Sequence, residues 1–425
     1  MTQLRTEADR RAFVESSCRF DSVTGAEAPH QEWFRDRLAD FGFETYTWTG
    51  DAERLADHPS FPDDPAEIDT ADRPSVGGVL SFGDPDAGPT LVLNGHCDVV
   101  PVDRESWSSP PFEPTWDEAG ERLTCRGAAD MKAGLGACVA AALALRERVD
   151  RGETESIDGR VVVESVVDEE AGGIGAATAA LSNPYPFERD AVVVAEPTEL
   201  RPVTATEGSL MKRLRLRGRS AHAATRWRGE SVLPHFRAIH EAVEAFGAER
   251  AETVTHPLYE RFDDPWPVNV GHVEAGSWAS SVPATLTAEF RIGVAPGESV
   301  AAVEAAVDER VAAVAAERPW LADHPPTFER FSVQFEPAET DPDAPVVRHL
   351  RDAMGTVGLE DTEPVGATYG ADSRHYVAAG IPAVCFGPGS IEQAHFPDEH
   401  VAWREVETAR AVLVETAARF LVDGG

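Results

Sequence analysis

Five separated stretches carry acidic and imidazole side chains at points where strands should give way to loops. They are Gly95-His96-Cys97-Asp98-Val99-Val100-Pro101, Gly127-Ala128-Ala129-Asp130-Met131-Lys132, Val167-Asp168-Glu169-Glu170, Ala195-Glu196-Pro197-Thr198 and Ala394-His395-Phe396-Pro397-Asp398-Glu399. A single zinc ion is usually satisfied by three protein ligands and a water, whereas a pair of ions needs more ligands and a bridging carboxylate. Two histidines with three carboxylates suit the pair, and the chemistry such a pair supports is hydrolysis by an activated water.

The elements around these residues must bring them together. Thr90-Leu91-Val92-Leu93-Asn94 reads as a buried strand, and His96 and Asp98 at its end share a face because strand side chains repeat every second residue. That spacing lets the Asp98 carboxylate accept the second ring N–H of a metal-bound His96. Asp130 precedes a helix predicted over 133–149, and a strand over 160–167 delivers Asp168, Glu169 and Glu170 together. A strand over 190–195 ends in Glu196, where Pro197 forbids continuation of the ladder. A strand over 383–386 and the turn Gly387-Pro388-Gly389 lead to His395. Adjacent Glu169 and Glu170 can divide the work, one ligating metal while the other moves protons.

Each stretch alone has a plainer reading: a histidine satisfied by a neighbouring aspartate, a carboxylate capping a helix, three acids in a solvated turn, or a surface histidine. All five in strand-then-ligand order, at the strand ends where α/β sheets bind ligands, read as one site.

On these motifs, and nearly end to end from about Phe13 to the C-terminal helix, the chain resembles the metallo-aminoacylase and deacetylase family. That family includes acetylornithine deacetylase, succinyl-diaminopimelate desuccinylase and glutamate carboxypeptidase. The resemblance implies that His96, Asp130 and Glu196 hold one divalent ion and that Asp130, Glu170 and His395 hold the other, with Asp130 bridging. Glu169 is then general base and acid, and Asp98 counts with the catalytic residues. The ions implied are two zinc ions, with cobalt or manganese as alternatives. The reaction implied is cleavage of the amide of an N-acyl amino acid or related small amide, with a metallo-exopeptidase on the same fold as the alternative. A non-catalytic metal-binding protein is the rival from another class, and Glu169, which binding alone would not need, speaks against it.

Further likeness comes from Trp107-Ser108-Ser109-Pro110-Pro111-Phe112, Gly276-Ser277-Trp278-Ala279-Ser280-Ser281-Val282-Pro283 and Phe290-Arg291-Ile292-Gly293. The chain departs from the pattern at Ala133, where glycine is usual, and at Tyr369-Gly370-Ala371-Asp372-Ser373, which replaces the commoner Gly-Gly-Thr-Asp. These departures bear on substrate preference. Gly218-Arg219-Ser220-Ala221-His222 resembles the segment whose histidine enters the partner subunit's site and stabilises the oxyanion, which implies a homodimer. Without that resemblance His222 reads as a strand-end or dimer-surface histidine. Arg291 on a strand either clamps a substrate carboxylate bidentately or pairs with a structural acid. Asn269 and Ser281 are further candidates for substrate contact.

Strands alternate with helices up to about residue 206, which suggests a mainly parallel sheet sandwiched by helices, as in zinc exopeptidases. After Glu207-Gly208 the texture changes. Strands are predicted over 209–216, 269–274 and 285–294, helices over 230–246 and 299–317, and a further strand over 331–335. The fold expected is α/β with an inserted α+β lid and dimerisation domain. Residues 1–206 and 339–425 would form the catalytic part and 207–338 the insertion.

Gly172-Gly173-Ile174-Gly175 lacks the third glycine of a dinucleotide fingerprint, and the acids Asp168, Glu169 and Glu170 before it would repel a pyrophosphate. Ser373 has no Gly-x-Ser-x-Gly setting. A chain of 425 residues can bury two cores, and its net charge of −36 disfavours nucleic acid. Only Lys132 and Lys212 are lysines, and acids are spread along the whole chain, an acidic solvated shell of the kind expected in a salt-rich cytoplasm. The N-terminus lacks a signal pattern, and no apolar run approaches bilayer length, so neither secretion nor a membrane is expected. Cys18, Cys97, Cys125, Cys138 and Cys385 are odd in number without Cys-x-x-Cys spacing and read as reduced core residues.

Overall fold

The computed structural model describes residues 4–154 and 156–423. Its main sheet is built on valine-rich runs that are buried on both faces, as parallel strands between helices must be. Thr90–His96 is wholly buried and lies parallel to Gly159–Val166 on one side and to Ala191–Val194 on the other. Ala383–Cys385 runs parallel beyond Ala191–Val194. The margins carry the antiparallel pairings, Glu44–Trp48 and Ser75–Phe82 on one side and Val203–Thr206 and Ala338–Glu339 on the other, with Val365–Ala367 joining Val203–Thr206 in parallel. The sheet is therefore mixed, with a parallel centre whose carboxyl ends lead to His96, Glu170, Glu196 and His395, whereas Asp130 follows the short strand Arg122–Thr124 of a separate three-stranded sheet.

Helices cover both faces. Ala133–Asp150 packs against Trp403–Asp423, which in turn packs on Pro345–Val357, while Ile174–Leu181 and Ser373–Ala378 pack together. The segment Ala128–Asp150 does reach the length and hydropathy of a membrane span, contrary to the sequence expectation, but 94% of its most apolar window is buried in protein. Its small residues are the reason. A Cβ on Gly134 would come within 2.2 Å of the Ala195 carbonyl oxygen, so this helix lies directly against the strand end that carries Glu196.

A second, four-stranded antiparallel sheet has the order Val268–Ala275, Thr285–Val294, Gly208–Arg217, Thr327–Arg330. Helices Leu233–Thr253 and Val300–Ala316 pack against each other beside it, and Leu214, Ile239, Phe290 and Val307 belong to a core distinct from that of the main sheet. The last strand lies at 327–330, earlier than the predicted 331–335, and from the latter only Phe335 bridges to Ser209.

Both lysines are buried. Lys212 is 1% exposed and its ammonium sits 2.8 Å from Glu304 and 2.9 Å from Asp308, while Lys132 donates to the Phe20 carbonyl at 3.0 Å. The cations on the surface are accordingly arginines. All five cysteines are buried and unpaired.

Candidate metal centre

Strand register assembles the site. Asn94 lies opposite Val194 and His96 opposite Val166. Just past the ladders the Ala195 amide donates to the Asn94 carbonyl and the Cys97 amide to the Val166 carbonyl, which carries Glu196 toward His96 and the acid-bearing loop toward Asp98. One atom each from His96, Asp130 and Glu196 lie within 4.8 Å of one another, and the same holds for Asp130, Glu170 and His395. Asp130 belongs to both groups. The donors are all carboxylate oxygens and imidazole nitrogens, a set suited to divalent ions of the zinc, cobalt or manganese type. Glu196 Oε1 is buried with no hydrogen-bond partner, which leaves an acceptor in this group that a cation would satisfy.

His96 is 1% exposed. Its Nδ1 lies 2.9 Å from the Asp98 carbonyl oxygen and 3.6 Å from the Asp98 carboxylate. The expected partner is thus corrected: the chain leaves the strand at His96, which swings the Asp98 carbonyl, not its carboxylate, under the ring. The carboxylate instead accepts the amides of Glu169 (3.1 Å) and Glu170 (3.2 Å) and the Thr24 hydroxyl (3.0 Å). Asp98 therefore ties the acid-bearing loop to the His96 strand. With Nδ1 committed to a carbonyl, Nε2 faces Asp130 Oδ1 at 3.0 Å.

Asp130 is not a helix cap, since the helix begins after Lys132 with no side-chain capping bond. Its backbone leaves the helical region at φ −120° and ψ 93°, and its peptide bond to Met131 is cis. The loop is held by Glu399, which is fully buried. One Glu399 oxygen accepts the amides of Ala129 (2.8 Å) and Asp130 (3.0 Å), and the other accepts Gly127 (3.0 Å) and Arg126 Nη1 (2.7 Å). Glu399 lies four residues after His395, so a single segment supplies a candidate ligand and the brace of the shared carboxylate. Glu399→Gln replaces one acceptor oxygen with a donor facing backbone N–H groups. It is expected to weaken zinc binding by about 10- to 100-fold, the usual cost of disturbing an outer partner. Competition against a chromophoric chelator reads this directly, and an unchanged affinity would remove the bracing role.

Glu169 is 8% exposed and Glu170 half-buried. Asp168, just before them, adopts φ 72°, a left-handed conformation that needs support in a non-glycine residue. The support is Arg73, 2.5 Å from Asp168 Oδ1, itself paired with buried Glu27. Behind the loop, Gly173 at φ 76° lets Asp372 approach; a Cβ there would lie 2.3 Å from Asp372 Oδ1. The glycines of this stretch thus serve a tight turn beside the acids.

Burial pushes Glu169 and Glu196 well above the usual carboxylate range, with Glu196 adding to Glu169 by like charge. Burial and Asp130 raise Glu170, and burial raises Asp372 to about 7. Asp130 alone of the ligand carboxylates is held down: burial opposes its charge, but the His96 hydrogen bond and positive charge prevail. His96 is correspondingly raised despite its burial, chiefly by Asp130. Groups raised in the fold contribute stability that is complete below their unfolded values and is lost as pH climbs through the folded ones. Chelator-treated protein should therefore lose melting temperature between about pH 5 and pH 8, while protein with a divalent ion supplied should stay nearly level, because a cation neutralises the same acids. Equal melting curves with and without chelator at pH 8 would contradict this.

The remaining predicted residues lie in the second unit. His222 is exposed, its Nδ1 accepting the Ala224 amide at 3.1 Å, and it bridges to Ser281. Arg291 is engaged by buried Glu207, with both contacts at 3.2 Å, so of its two predicted roles the structure shows the pairing with a structural acid. Asn269 is exposed, directly across the ladder from Arg291. None of these four stands in either ligand group. Sequence reasoning missed Glu399, Arg73 and Glu27, whose importance comes from contacts across long stretches of chain. The one local signal was an acid in the His395 motif with no role assigned.

The sequence profile described as Peptidase family M20/M25/M40 matches residues 92–419. An acetylornithine deacetylase of Salmonella heidelberg (strain SL476) is 28% identical over 335 residues, covering 78% of this chain and 80% of that protein. Among solved structures, an M20 family metallo-carboxypeptidase of Sulfolobus solfataricus superposes with a TM-score of 0.72 at 15% identity, covering 97% of this chain and 99% of that one. The di-peptidase Dug1p of Saccharomyces cerevisiae gives 0.72 at 14% identity, covering 98% and 95%.

Proposed function

The chain belongs to peptidase family M20/M25/M40, and we propose that it is a two-metal amidohydrolase that releases the amine from N-acyl amino acids. The observation that carries this is Asp130 shared between two candidate ligand groups, with a further buried acid, Glu169, beside them and outside both. In this reading His96, Asp130 and Glu196 hold one ion and Asp130, Glu170 and His395 the other. Two divalent ions, zinc by preference, would polarise the scissile carbonyl and acidify a water. Glu169 takes the proton of that water and delivers it to the departing amine. Asp98 holds the Glu169 and Glu170 amides, so the proton carrier and one ligand move as a unit.

The 28% identity to an acetylornithine deacetylase favours an acyl amino acid, and family membership keeps peptides as the second reading. The test is a panel of N-acetyl, N-succinyl and N-formyl amino acids and dipeptides, with zinc, cobalt or manganese returned after chelation. Metal-dependent release of amine is expected, and silence on every member with every metal would sink the proposal.

Residues 1–206 with 339–425 are assigned as the catalytic unit and 207–338 as a lid and dimerisation unit, which the two separate cores support. A homodimer is supported by Val268–Ala275, a sheet edge whose only ladder partner among the described residues is Thr285–Val294. Nearby, Trp227 and Trp278 are 75% and 69% exposed on the segments that flank His222 and Ser281.

A salt-rich cytoplasm is supported by the net charge of −36 and by the burial of both lysines. Self-repulsion is screened as the Debye length falls from about 8 Å at 0.15 M to about 3 Å at 1 M salt. Melting temperature should rise over that interval, and a flat or falling trend would refute this origin.

A further inference from the structure

Residues 331–337 lead out of the second unit, and this strap is seated on the back of the loop that carries Glu169 and Glu170. It is fastened on both sides. The Phe335 amide donates to the Ser209 carbonyl at 2.9 Å, the Ser209 amide returns the bond at 2.8 Å, and the Gln334 side chain accepts the Met211 amide at 2.7 Å, which holds the strap to Gly208–Arg217. The Gln334 amide donates to the Ser60 carbonyl at 2.8 Å, and Val333 packs on the cluster of Leu55, Phe61 and Ile174, which holds the strap to the main unit. Ser332 takes φ 57° within this passage.

The strap meets the acid-bearing loop at Gly172. A Cβ there, at φ 133°, would come within 2.8 Å of Val333 Cγ1, so only glycine lets the two backbones lie this close. The Gly172 amide donates to the Glu169 carbonyl at 3.2 Å, and the Gly172 carbonyl accepts Arg374 Nη2 at 2.7 Å. Arg374 is 3% exposed, its Nη1 donates to the Ala371 carbonyl at 3.1 Å, and its guanidinium carbon lies 3.9 Å from the centre of the Phe335 ring. Gly370 leaves room for that ring, which a Cβ would meet at 2.5 Å. A buried arginine ordinarily pairs with a carboxylate. Arg374 forms no ion pair among the described residues and its Nε has no hydrogen-bond partner, so two carbonyls and an aromatic face hold it. The guanidinium thus joins loop to strap, while Asp98 holds the same loop from the opposite side through the Glu169 and Glu170 amides.

We propose that Arg374 is a positioning residue: it clamps the loop bearing Glu169 to Phe335 of the strap, so that the placement of the proton carrier depends on how the second unit is seated. The effect on turnover rests on the hydrolytic reading, whereas the clamp itself does not.

Phe335→Leu keeps apolar bulk but removes the ring face, and Arg374→Lys keeps the charge but loses the planar fork. Hydrogen exchange of the full-length, metal-loaded protein, read by mass spectrometry, should quicken about tenfold or more at the amides of 171–173 in each variant, while Thr90–His96 keeps its parental rate. On the best panel substrate each variant should lower kcat by about tenfold to a hundredfold, the scale of a small misplacement of a reacting group, with both ions retained and KM within about threefold of the parent. The double variant should fall no further than the less active single, because both break one clamp. Parental exchange at 171–173 in both variants overturns the clamp, as do losses that multiply in the double variant. Loss of an ion together with activity makes Arg374 a support of the metal centre and overturns its assignment to Glu169. If the parent cleaves no panel member, the hydrolytic reading fails and the exchange measurement alone decides the clamp. Should Arg374→Lys fail to fold, Phe335→Leu and Val333→Ala carry the same measurements.

Discussion

Glu169→Gln should retain both ions while kcat falls by about 10²- to 10⁴-fold, the range for loss of a positioned proton carrier. The residue stands outside both groups of clustered ligand atoms, so removing its charge leaves the donors in place. It lies 8% exposed among Glu196, Asp372 and Glu170, whose charges together with burial raise its proton affinity well above that of a free carboxylate. A carboxylate so placed can accept a proton near neutral pH and give it up again to an amine. Glutamine keeps the shape and the hydrogen-bonding reach but cannot carry a proton. Metal content by elemental analysis and turnover on the best panel substrate must be read together. Full turnover would remove the proton-carrier role, and loss of metal alongside activity would make Glu169 a ligand.

The site was legible because its chemistry is tied to strand ends. Val161-Val162-Val163 and Val192-Val193-Val194 announce strands buried on both faces, and parallel register then carries Glu196 toward His96 with no further information. What the sequence could not give depended on where the chain leaves a ladder or on contacts made across hundreds of residues. Asp98 stands two residues beyond His96, as strand periodicity requires, yet its carbonyl rather than its carboxylate meets the ring, because the strand has already ended. Glu399 and Arg73 act on Asp130 and Asp168 from distant segments, and the only local mark is that Glu399 is an acid four residues after His395. The sequence left Arg291 two roles, substrate clamp or partner of a structural acid, and the acid, Glu207, lies on the connection between the two sheets, a place that only the assembled fold defines. The antiparallel margins were equally hidden, since an apolar run does not say which neighbour it will pair with.

Mixing two inactive variants should restore about a quarter of the active sites if His222 serves the neighbouring subunit. His222 is exposed, outside both ligand groups, and flanked by the segments that present Trp227 and Trp278 to solvent. A second copy covering that surface would bury the tryptophans and could carry the imidazole toward the scissile carbonyl, where a donor stabilises developing negative charge. Glu169→Ala and His222→Ala homodimers should then each be nearly inactive, because every site lacks one part. In a twofold dimer the two sites are equivalent, so a heterodimer of these variants holds one site with both residues and one with neither. Random association of equal amounts makes roughly half of the dimers mixed, and half of their sites complete. Co-expression with two affinity tags isolates the heterodimer, in which about half the sites should work. A purified heterodimer with no activity above either parent would return His222 to a purely surface role, and a His222→Ala homodimer that turned over at the parental rate would do so without any mixing.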